Sequence, residues 1–295
     1  MAEAPWLPAP AKLNLFLRIV GRREDGYHLL QTVFQLIDLC DRIQLIPRQD
    51  GRIERLDGPP DLAPEADLCV RAARLLQPYA AANAGVSIRL DKRIPMGGGL
   101  GGGSSDAATV LLGLDRLWGL DLGLDRLAQL GLQLGADVPV FVRGHSAWAE
   151  GVGEQLRPIE LGASAYLVLD SGVSVPTPEL FQAPELTRDA PPATIAGFVS
   201  GQRFGNAFEP VLVARSPKVG EALSALHEAS AGTALLVALS GTGGCCFARF
   251  AQREQAFAAQ SRLMPTWRSW VCGGLERSPL QRTMDQGSRA EDTRF

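Results

Sequence analysis

The sequence predicts an α+β fold divided into two domains. Helix-like and strand-like segments are mixed along the chain, without the regular strand–helix alternation that builds a doubly wound parallel sheet. The chain of 295 residues is long enough for two ordinary domains. Its composition changes at 171–193, where proline and small residues predominate. We therefore expect an N-terminal domain at 1–160, a C-terminal domain at 161–285 and a disordered tail at 286–295.

Composition and charge narrow the class of protein. Apolar residues make up 46% of the chain and charged residues 21%, as is typical of a globular protein. The formal net charge of −3 provides no basic field for a nucleic acid or an anionic membrane, so neither partner is expected. No apolar run approaches the roughly 20 residues that span a bilayer, and the N-terminus does not have the pattern of a signal peptide. Five cysteines without a C-x-x-C pair favour reduced thiols and a cytoplasmic location.

The first predicted strand covers 12–20 and places two polar side chains together. In this run, KLNLFLRIV, leucine and isoleucine occupy one face, while Lys12 and Asn14 share the other. A cation and an amide therefore lie side by side where the strand begins. The next segment, 21–47, has an Asp-Gly turn signal near its start and continues into two further strand-like runs.

Periodicity and turn residues predict the remaining elements. Helical spacing of apolar residues predicts helices over 67–79, 109–118 and 124–134, the last of them capped by Gly135. The predicted strands are short apolar runs, and they lie at 86–95, at 138–142, at 145–150 and on both sides of a glycine turn within 233–250.

The stretch PMGGGLGGGSSDAA, residues 95–108, has to be explained, because glycine loses more backbone freedom on folding than any other residue. A flexible linker would have disordered flanks, whereas strand and helix signals adjoin this stretch on both sides. A Walker A loop is excluded because no Lys-Ser or Lys-Thr pair follows the glycines. A G-x-G-x-x-G dinucleotide motif can be aligned with Gly97, Gly99 and Gly102, although glycines this dense match almost any such pattern.

An anion-binding loop fits the same stretch better. Glycines allow backbone N–H groups to approach phosphate oxygens closely, and Ser104 and Ser105 then lie where a helix begins, beside the positive end of its dipole. A glycine turn followed by a serine cap is the plainer alternative. Asp106 suits the helix dipole but would repel a phosphate, which indicates either a nearby Mg²⁺ or an outward-facing side chain.

Residues 92–108, KRIPMGGGLGGGSSDAA, resemble the phosphate-binding motif of the GHMP small-molecule kinases. The resemblance implies an N-terminal domain like domain 2 of ribosomal protein S5, a C-terminal ferredoxin-like domain and a substrate cleft between them. It also implies that the γ-phosphoryl group of ATP, with Mg²⁺ held mainly by the nucleotide phosphates, passes to a hydroxyl of a small molecule. Four further stretches extend the resemblance over nearly the whole chain, and they are 10–35, 134–154, 172–181 and 239–250.

Lys12 and Asp137 are the catalytic pair that the resemblance implies. From the pattern alone, Asp137 reads as a turn or cap residue between a helix and Pro139. In the family, the matching aspartate accepts the proton of the substrate hydroxyl, and the matching lysine pairs with it. A nearby cation favours the charged form of a carboxylate and offsets charge on the transferred phosphoryl group. Early proton removal and simple orientation of the hydroxyl are both open.

The motifs PAKLNL and DGYH resemble those of family members whose substrate carries a cytidine diphosphate group. The resemblance implies that Tyr27 stacks on the cytosine, that His28 hydrogen-bonds its edge and that Phe181 closes the other face of the ring. It also implies that Asn14 contacts the substrate's hydroxyls or diphosphate. From the pattern alone, the three ring residues read equally well as a turn tyrosine, a surface histidine and a core phenylalanine.

The nucleotide site that the resemblance implies is built on the glycine stretch. Lys92 lies just before it and would touch the nucleotide, although basic residues at strand ends are commonly solvated. Asp67 stands where relatives often have an asparagine near the adenine, and an aspartate lacks the amide donor. The implied nucleotide-binding residues are Asp67, Lys92, Pro95, Met96, Gly97, Gly98, Gly99, Leu100, Gly101, Gly102, Gly103, Ser104 and Ser105.

A second glycine turn, GTGG at 241–244, reads as a hairpin between two apolar strands. The resemblance places it near the phosphates and the acceptor, with backbone contacts from Gly241 and Thr242. We expect a monomer or a weak homodimer.

Three other functions compete. A GHMP kinase whose acceptor has no base would have no use for Tyr27, His28 and Phe181, and a non-catalytic nucleotide-binding or regulatory module would not need a catalytic pair. A Rossmann oxidoreductase is the most distant, because no convincing strand-first βαβ unit has an acidic residue about 20 positions after the glycines.

Overall fold

The computed structural model describes residues 4–59 and 62–284, and the predicted tail at 286–295 lies outside them. The N-terminal part contains β1 (Trp6–Arg22), β2 (His28–Arg48), β3 (Ile53–Arg55), α1 (Leu68–Leu76), β4 (Gly85–Asp91), α2 (Gly102–Leu117), α3 (Gly123–Leu132), α4 (Val138–Arg143), β5 (Ala147–Glu150) and β6 (Gln155–Pro158). The C-terminal part contains β7 (Ala165–Asp170), α5 (Thr177–Phe181), α6 (Ile195–Val199), α7 (Glu209–Arg215), α8 (Pro217–Ser230), β8 (Leu236–Leu239), β9 (Cys245–Phe250), α9 (Arg253–Gln260) and β10 (Arg268–Leu275).

The strands form a sheet that runs through both parts of the chain. Its order is β3-β4-β2-β10-β7-β9-β8, with β1 and β5 also paired to β2, and β6 paired to β5. Only the β3–β4 pairing is parallel among the described strands. The predicted α+β class is therefore confirmed, because predominantly antiparallel pairing distinguishes this fold from a doubly wound one.

The first two strands are longer than the sequence pattern indicates. The strand predicted at 12–20 begins at Trp6, and the two runs predicted within 21–47 are one continuous strand, β2. Register shifts interrupt the β1–β2 pairing between Pro10 and Ala11 and between Asn14 and Leu17. Such bulges bend a strand and redirect its side chains. These two lie on either side of the Lys12–Asn14 pair.

The segment at 138–142 was predicted as a strand, and that prediction was wrong. Residues 138–143 form α4, a short helix whose side chains from Val138 to Val142 are all buried. A helix that is buried all round has no polar face, so its sequence reads as a continuous apolar run. Pro139 fits because it lies in the first turn, where its missing N–H is not needed. Gly135 is not the cap of α3 either, since Gln133 occupies that position.

Three groups of buried side chains hold the layers together. One lies between the N-terminal strands and α1–α4, and a second lies between β7–β9 and the C-terminal helices. The third joins the two parts, because Leu13 and Phe16 of β1 pack in the same cluster as Tyr166 of β7 and Phe247 of β9. None of the helices in the described ranges is both long and apolar enough to cross a bilayer.

Candidate active site

A cleft of about 1530 Å³ lies between the two parts of the chain. Its lining includes the second half of β1, the turn before β2, the glycine stretch, the N-terminus of α4, α5 and the turn after β8. The predicted site residues all line it except Ser105, which is buried within α2. The fold therefore brings together residues that are up to about 230 positions apart, as the Asn14–Ser240 hydrogen bond illustrates.

The glycine stretch leads directly into α2. Gly97, Gly99 and Gly101 have φ of +72°, +76° and +72°, and Gly101 is the N-cap residue of the helix. The first N–H groups of a helix have no intrahelical acceptor, and glycines at positive φ turn neighbouring N–H groups into one concavity. The start of α2 therefore has the backbone of an anion site, with Ser104 in the first turn.

Some of the glycines serve a second purpose, which is to let two turns interlock. A Cβ on Gly99 would lie 2.0 Å from the carbonyl oxygen of Ser240, and a Cβ on Gly243 would lie 2.0 Å from the Gly99 nitrogen. The Cys245 N–H donates to the Gly98 carbonyl at 3.0 Å, which ties the two turns together. Backbone packing therefore explains part of the glycine density.

Lys12 lies on the floor of the cleft with all its donors engaged. Its side chain is only 3% exposed. The Nζ atom donates to Asn14 Oδ1 at 2.5 Å and to the Gly99 carbonyl at 2.8 Å, and it lies 3.3 Å from Asp137 Oδ2. The ammonium therefore links the first strand, the glycine stretch and the predicted catalytic carboxylate.

Asp137 faces the cleft from the start of α4. It occupies the N-cap position, but its side chain makes no capping hydrogen bond. The carboxylate is 32% exposed, and Lys12 is its ion-pair partner. The position of Asp137 is therefore that of a helix cap, as the sequence pattern allowed. Its carboxylate makes no capping bond and can contact a ligand in the cleft.

Both the oxygen and the nitrogen of the Asn14 side-chain amide form hydrogen bonds. Its Oδ1 accepts from Lys12, and its Nδ2 donates to Thr32 Oγ1 at 2.9 Å. The Thr32 hydroxyl in turn donates to the Phe16 carbonyl at 2.5 Å. An amide nitrogen carries two hydrogens, so one donor of Asn14 is left for a ligand while the chain of hydrogen bonds orients Lys12.

Lys92 bridges two buried carboxylates behind the glycine stretch. Its Nζ bonds Asp41 Oδ2 and Asp106 Oδ2, the latter at 2.7 Å. Asp41 Oδ1 also accepts from the N–H groups of Arg93 and Ile94, at 2.5 and 2.7 Å. The outward-facing interpretation of Asp106 was wrong, because the side chain is buried, and Lys92 is the cation that the structure places beside it.

Burial and pairing shift the protonation of this cluster. Burial raises the pKa of Asp106 to about 8, while the Lys92 ammonium acts in the opposite direction. For Lys92, burial alone would lower the pKa, but Asp106 and Asp41 together raise it above its ordinary value. Asp106 is the carboxylate that takes the proton, because its Oδ1 has no hydrogen-bond partner whereas Asp41 has three donors.

Replacing Asp106 with Asn is expected to flatten the dependence of stability on pH. An aspartate in an unfolded chain has a pKa near 4. Between that value and about 8 the folded wild type binds more protons than the unfolded chain, so its unfolding free energy falls as pH rises, by up to about 1 kcal/mol per pH unit. Urea unfolding at several pH values between about 6 and 9 measures this slope.

The matched control for this experiment is Asp91→Asn. Asp91 forms an exposed ion pair with Arg93 and should leave the pH dependence of the wild type unchanged. If the wild type, Asp106→Asn and Asp91→Asn all give the same slope, Asp106 does not titrate in this range.

Asp67 is occupied by structural partners. It is the N-cap of α1, where Oδ1 accepts from the Cys69 N–H at 2.8 Å. Its Oδ2 pairs with Arg55 Nη1 at 2.7 Å, and Arg55 also donates to the Leu62 carbonyl at 2.8 Å. Asp67 therefore fixes the segment that lines one end of the cleft, and any contact with a base would use an oxygen that already has a partner.

The other end of the cleft is aromatic. Tyr27 is 64% exposed, in the turn before β2. The His28 ring stacks on Phe181 with centroids 5.0 Å apart and an interplanar angle of 27°. Phe181 also packs its edge on Phe208 at 4.9 Å. Phe181 is thus both a core residue and a residue of the cleft, which combines the two interpretations open at the sequence level.

The second glycine turn closes over the Lys12–Asn14 pair. A Cβ on Gly241, where φ is +59°, would lie 3.0 Å from Asn14 Oδ1 and 3.3 Å from Lys12 Nζ. The Gly241 carbonyl accepts from Asn206 Nδ2 at 2.8 Å. Thr242 Oγ1 lies 2.9 Å from Thr177 Oγ1. The turn therefore lies against both the Lys12–Asn14 pair and the glycine stretch.

Several residues that support the site were missed at the sequence level. Asp41 carries one signal, since a charged residue interrupts an apolar strand pattern there. The others belong to no motif, and their partners are remote along the chain. These residues are Thr32, Asp41, Arg188, Asn206 and Ser240.

Two domain models of one known protein family match this chain. Residues 67–145 match the model described as GHMP kinases N terminal domain, and residues 184–266 match that described as GHMP kinases C terminal. The chain belongs to the GHMP kinases, which are ATP-dependent enzymes that phosphorylate small molecules. The predicted family, fold and enzyme class are thereby confirmed.

Within that family, two curated relatives with high sequence identity carry the same name. The 4-diphosphocytidyl-2-C-methyl-D-erythritol kinase of Xanthomonas axonopodis pv. citri is 59% identical over 274 residues, covering 92% of this chain and 91% of the relative. That of Halorhodospira halophila is 53% identical over 292 residues, covering 98% and 99%. A crystal structure of a 4-(cytidine 5'-diphospho)-2C-methyl-D-erythritol kinase is 35% identical and superimposes with a TM-score of 0.79, covering 92% of this chain and 99% of that one.

Proposed function

We propose that this kinase transfers the γ-phosphoryl group of ATP to the 2-hydroxyl of 4-diphosphocytidyl-2-C-methyl-D-erythritol, giving the 2-phosphate and ADP, in the non-mevalonate route to isoprenoid precursors. The observation that supports it best is the position of the Lys12–Asp137 pair. It lies in the same cleft as the glycine stretch that begins α2 and the aromatic end formed by Tyr27 and Phe181. The names of the similar proteins supply the acceptor.

In this proposal, the substrate hydroxyl oxygen attacks the γ-phosphorus while the bond to the β–γ bridging oxygen breaks. Asp137 accepts the hydroxyl proton or orients the hydroxyl, and ADP leaves with the bonding electron pair. Phosphoryl transfer proceeds through a loose transition state, so positioning and charge stabilisation outweigh strong base catalysis. Lys12 contributes both, because its ammonium holds the carboxylate in place and offsets charge on the transferred group.

Mg²⁺ would reach the site with the nucleotide. Within the described residues there is no group of three or more His, Cys, Asp or Glu side chains that could hold a metal ion. Mg²⁺ usually keeps several waters and binds through substrate phosphates. Asp106 Oδ2 is paired with Lys92. We therefore propose that the triphosphate supplies the ligands of the metal and that the start of α2 binds the phosphates.

The remaining sequence-level expectations stay part of the proposal. The chain would divide near 160/161 into an ATP-binding domain and a C-terminal domain, act in the cytoplasm as a monomer or weak homodimer, and bind no nucleic acid. The five cysteines are free thiols, in keeping with a reducing compartment.

The test of the function is an acceptor panel. ADP release is measured with MgATP and 4-diphosphocytidyl-2-C-methyl-D-erythritol, alongside homoserine, mevalonate and galactose. The expected result is turnover with the cytidine compound alone, because the other acceptors have no base to engage Tyr27. The matched control substrate is 2-C-methyl-D-erythritol 4-phosphate, which lacks the cytidine group. The kcat/KM for this compound should be far below that for the cytidine substrate.

Two results would contradict the proposal. Turnover with another panel member would keep the kinase class and overturn the substrate. ATP binding without any acceptor-dependent release would favour a non-catalytic nucleotide-binding protein.

A further inference from the structure

Arg188 connects the loop after α5 to a side chain of the N-terminal part. Its Nε donates to His28 Nε2 at 3.2 Å. Its Nη2 donates to the carbonyls of Phe181 and Ala183, at 3.0 and 2.7 Å, and its Nη1 donates to the Leu186 carbonyl at 3.0 Å. The guanidinium is a rigid fork with no acceptor, so these bonds fix both its plane and the plane of the imidazole that it meets.

The contact decides where His28 carries its proton. A neutral imidazole has one donor nitrogen and one acceptor nitrogen. Because Arg188 can only donate, Nε2 has to be the acceptor, and the proton therefore lies on Nδ1. No residue in the described part of the chain hydrogen-bonds Nδ1, and His28 lines the cleft. The ring accordingly presents an N–H donor that is available to a ligand.

The charged groups around His28 favour its neutral form. Burial lowers the pKa of His28, and the positive charges of Arg188 and of Arg22 on β1 lower it further. The turn before β2 adds the ion pair of Arg23 and Asp25, at 2.7 Å, which has no net charge. Protonation at Nε2 would also break the hydrogen bond from Arg188.

We propose that Arg188 is a positioning residue for recognition of the base, because it holds His28 as the Nδ1–H tautomer and fixes the Phe181 backbone beside it. The proposal rests on the function proposed above. Cytosine presents an unprotonated ring N3 and a carbonyl O2 on adjacent positions, and both are acceptors. Uracil carries a hydrogen on N3. A fixed donor on His28 that meets N3 therefore favours cytosine over uracil, and Arg188 acts on this choice without needing to touch the substrate.

The first test is made on the free protein. The chain contains three histidines, so the ring resonances of His28 can be assigned by comparison with a His28→Gln variant. Nitrogen NMR of the ring is expected to show the Nδ1–H tautomer in the wild type. In Arg188→Met the tautomer should become mixed, and the pKa of His28 should rise because a donor and a positive charge have been removed.

The second test is kinetic. Arg188→Met should raise KM for the cytidine substrate about 10-fold, as the loss of a charge-assisted contact implies, and leave KM for ATP and kcat within about 3-fold. It should also reduce the preference for the cytidine substrate over its uridine analogue.

Arg215→Met is the matched control, since Arg215 pairs with Glu185 nearby and does not contact His28. If Arg188→Met does not fold, as near-ultraviolet circular dichroism would reveal, Arg188→Gln makes the same test because it also removes the charge. An unchanged tautomer and pKa would overturn the inference, as would equal losses with ATP and the cytidine substrate. Absence of wild-type turnover with the cytidine substrate, with the NMR result as expected, would instead count against the proposed function.

Discussion

Replacing Asp137 with Asn is expected to lower kcat by about 10²- to 10⁴-fold, the range typical for loss of a catalytic acid or base. The substitution preserves side-chain size, and the carboxylate makes no capping bond that α4 would lose. Affinity for ATP should stay within about 3-fold, because the start of α2 is unaltered. Steady-state ADP release, together with a direct measurement of ATP binding, separates the two effects.

Asp125→Asn is the control for that experiment. Asp125 lies on α3, where it forms an ion pair with Arg143 and is 86% exposed. A surface pair of this kind contributes about 0–1 kcal/mol to stability, so the control should have wild-type activity. If Asp137→Asn retains more than about a tenth of the wild-type kcat, Asp137 cannot be the catalytic carboxylate.

Replacing Gly99 with Ala is expected to remove activity and to lower the unfolding free energy by about 3–5 kcal/mol. Two costs combine. A φ of +76° disfavours any residue with a Cβ by about 1–2 kcal/mol. The new methyl group would also lie 2.0 Å from the Ser240 carbonyl oxygen and 2.8 Å from the Gly243 nitrogen, both of which are backbone atoms that cannot rotate away.

The two turns would have to separate, and Lys12 would lose its bond to the Gly99 carbonyl. Urea unfolding and ATP binding measure the result. Gly119→Ala isolates the cost of the backbone, since Gly119 has a φ of +62° and nothing within 4 Å of an added Cβ. It should lose about 1–2 kcal/mol and keep its activity. Equal losses of stability in the two variants would mean that the turns do not interlock as described.

Local features of this fold could be predicted from the sequence. Period-two alternation placed Lys12 beside Asn14 on the first strand, and the glycines before a helix indicated an anion site. Motif resemblance added Asp137 and the aromatic end of the cleft, which no periodicity would have found. These predictions could be made because each depends on residues that are close together or on a motif that is specific, and the structure places the residues concerned in one cleft.

Long-range partners could not be predicted in the same way. Asp41 and Lys92 are 51 residues apart, and His28 and Arg188 are 160 apart. A hydrogen bond across such a separation leaves no periodic trace. The helix α4 was missed for a related reason, because burial on every side removes the polar face that would distinguish it from a strand.

The position of β10 in the sheet determines how late in synthesis the fold of this enzyme can form. The last strand pairs with β2 near the start of the chain, and the Gly273 N–H donates to Asp38 Oδ1 across 235 residues. Contacts of such high sequence separation slow folding, because a long loop has to close before they form. During synthesis the N-terminal strands therefore emerge from the ribosome without this partner. The edge of β2 that β10 covers is exposed until translation has passed Leu275.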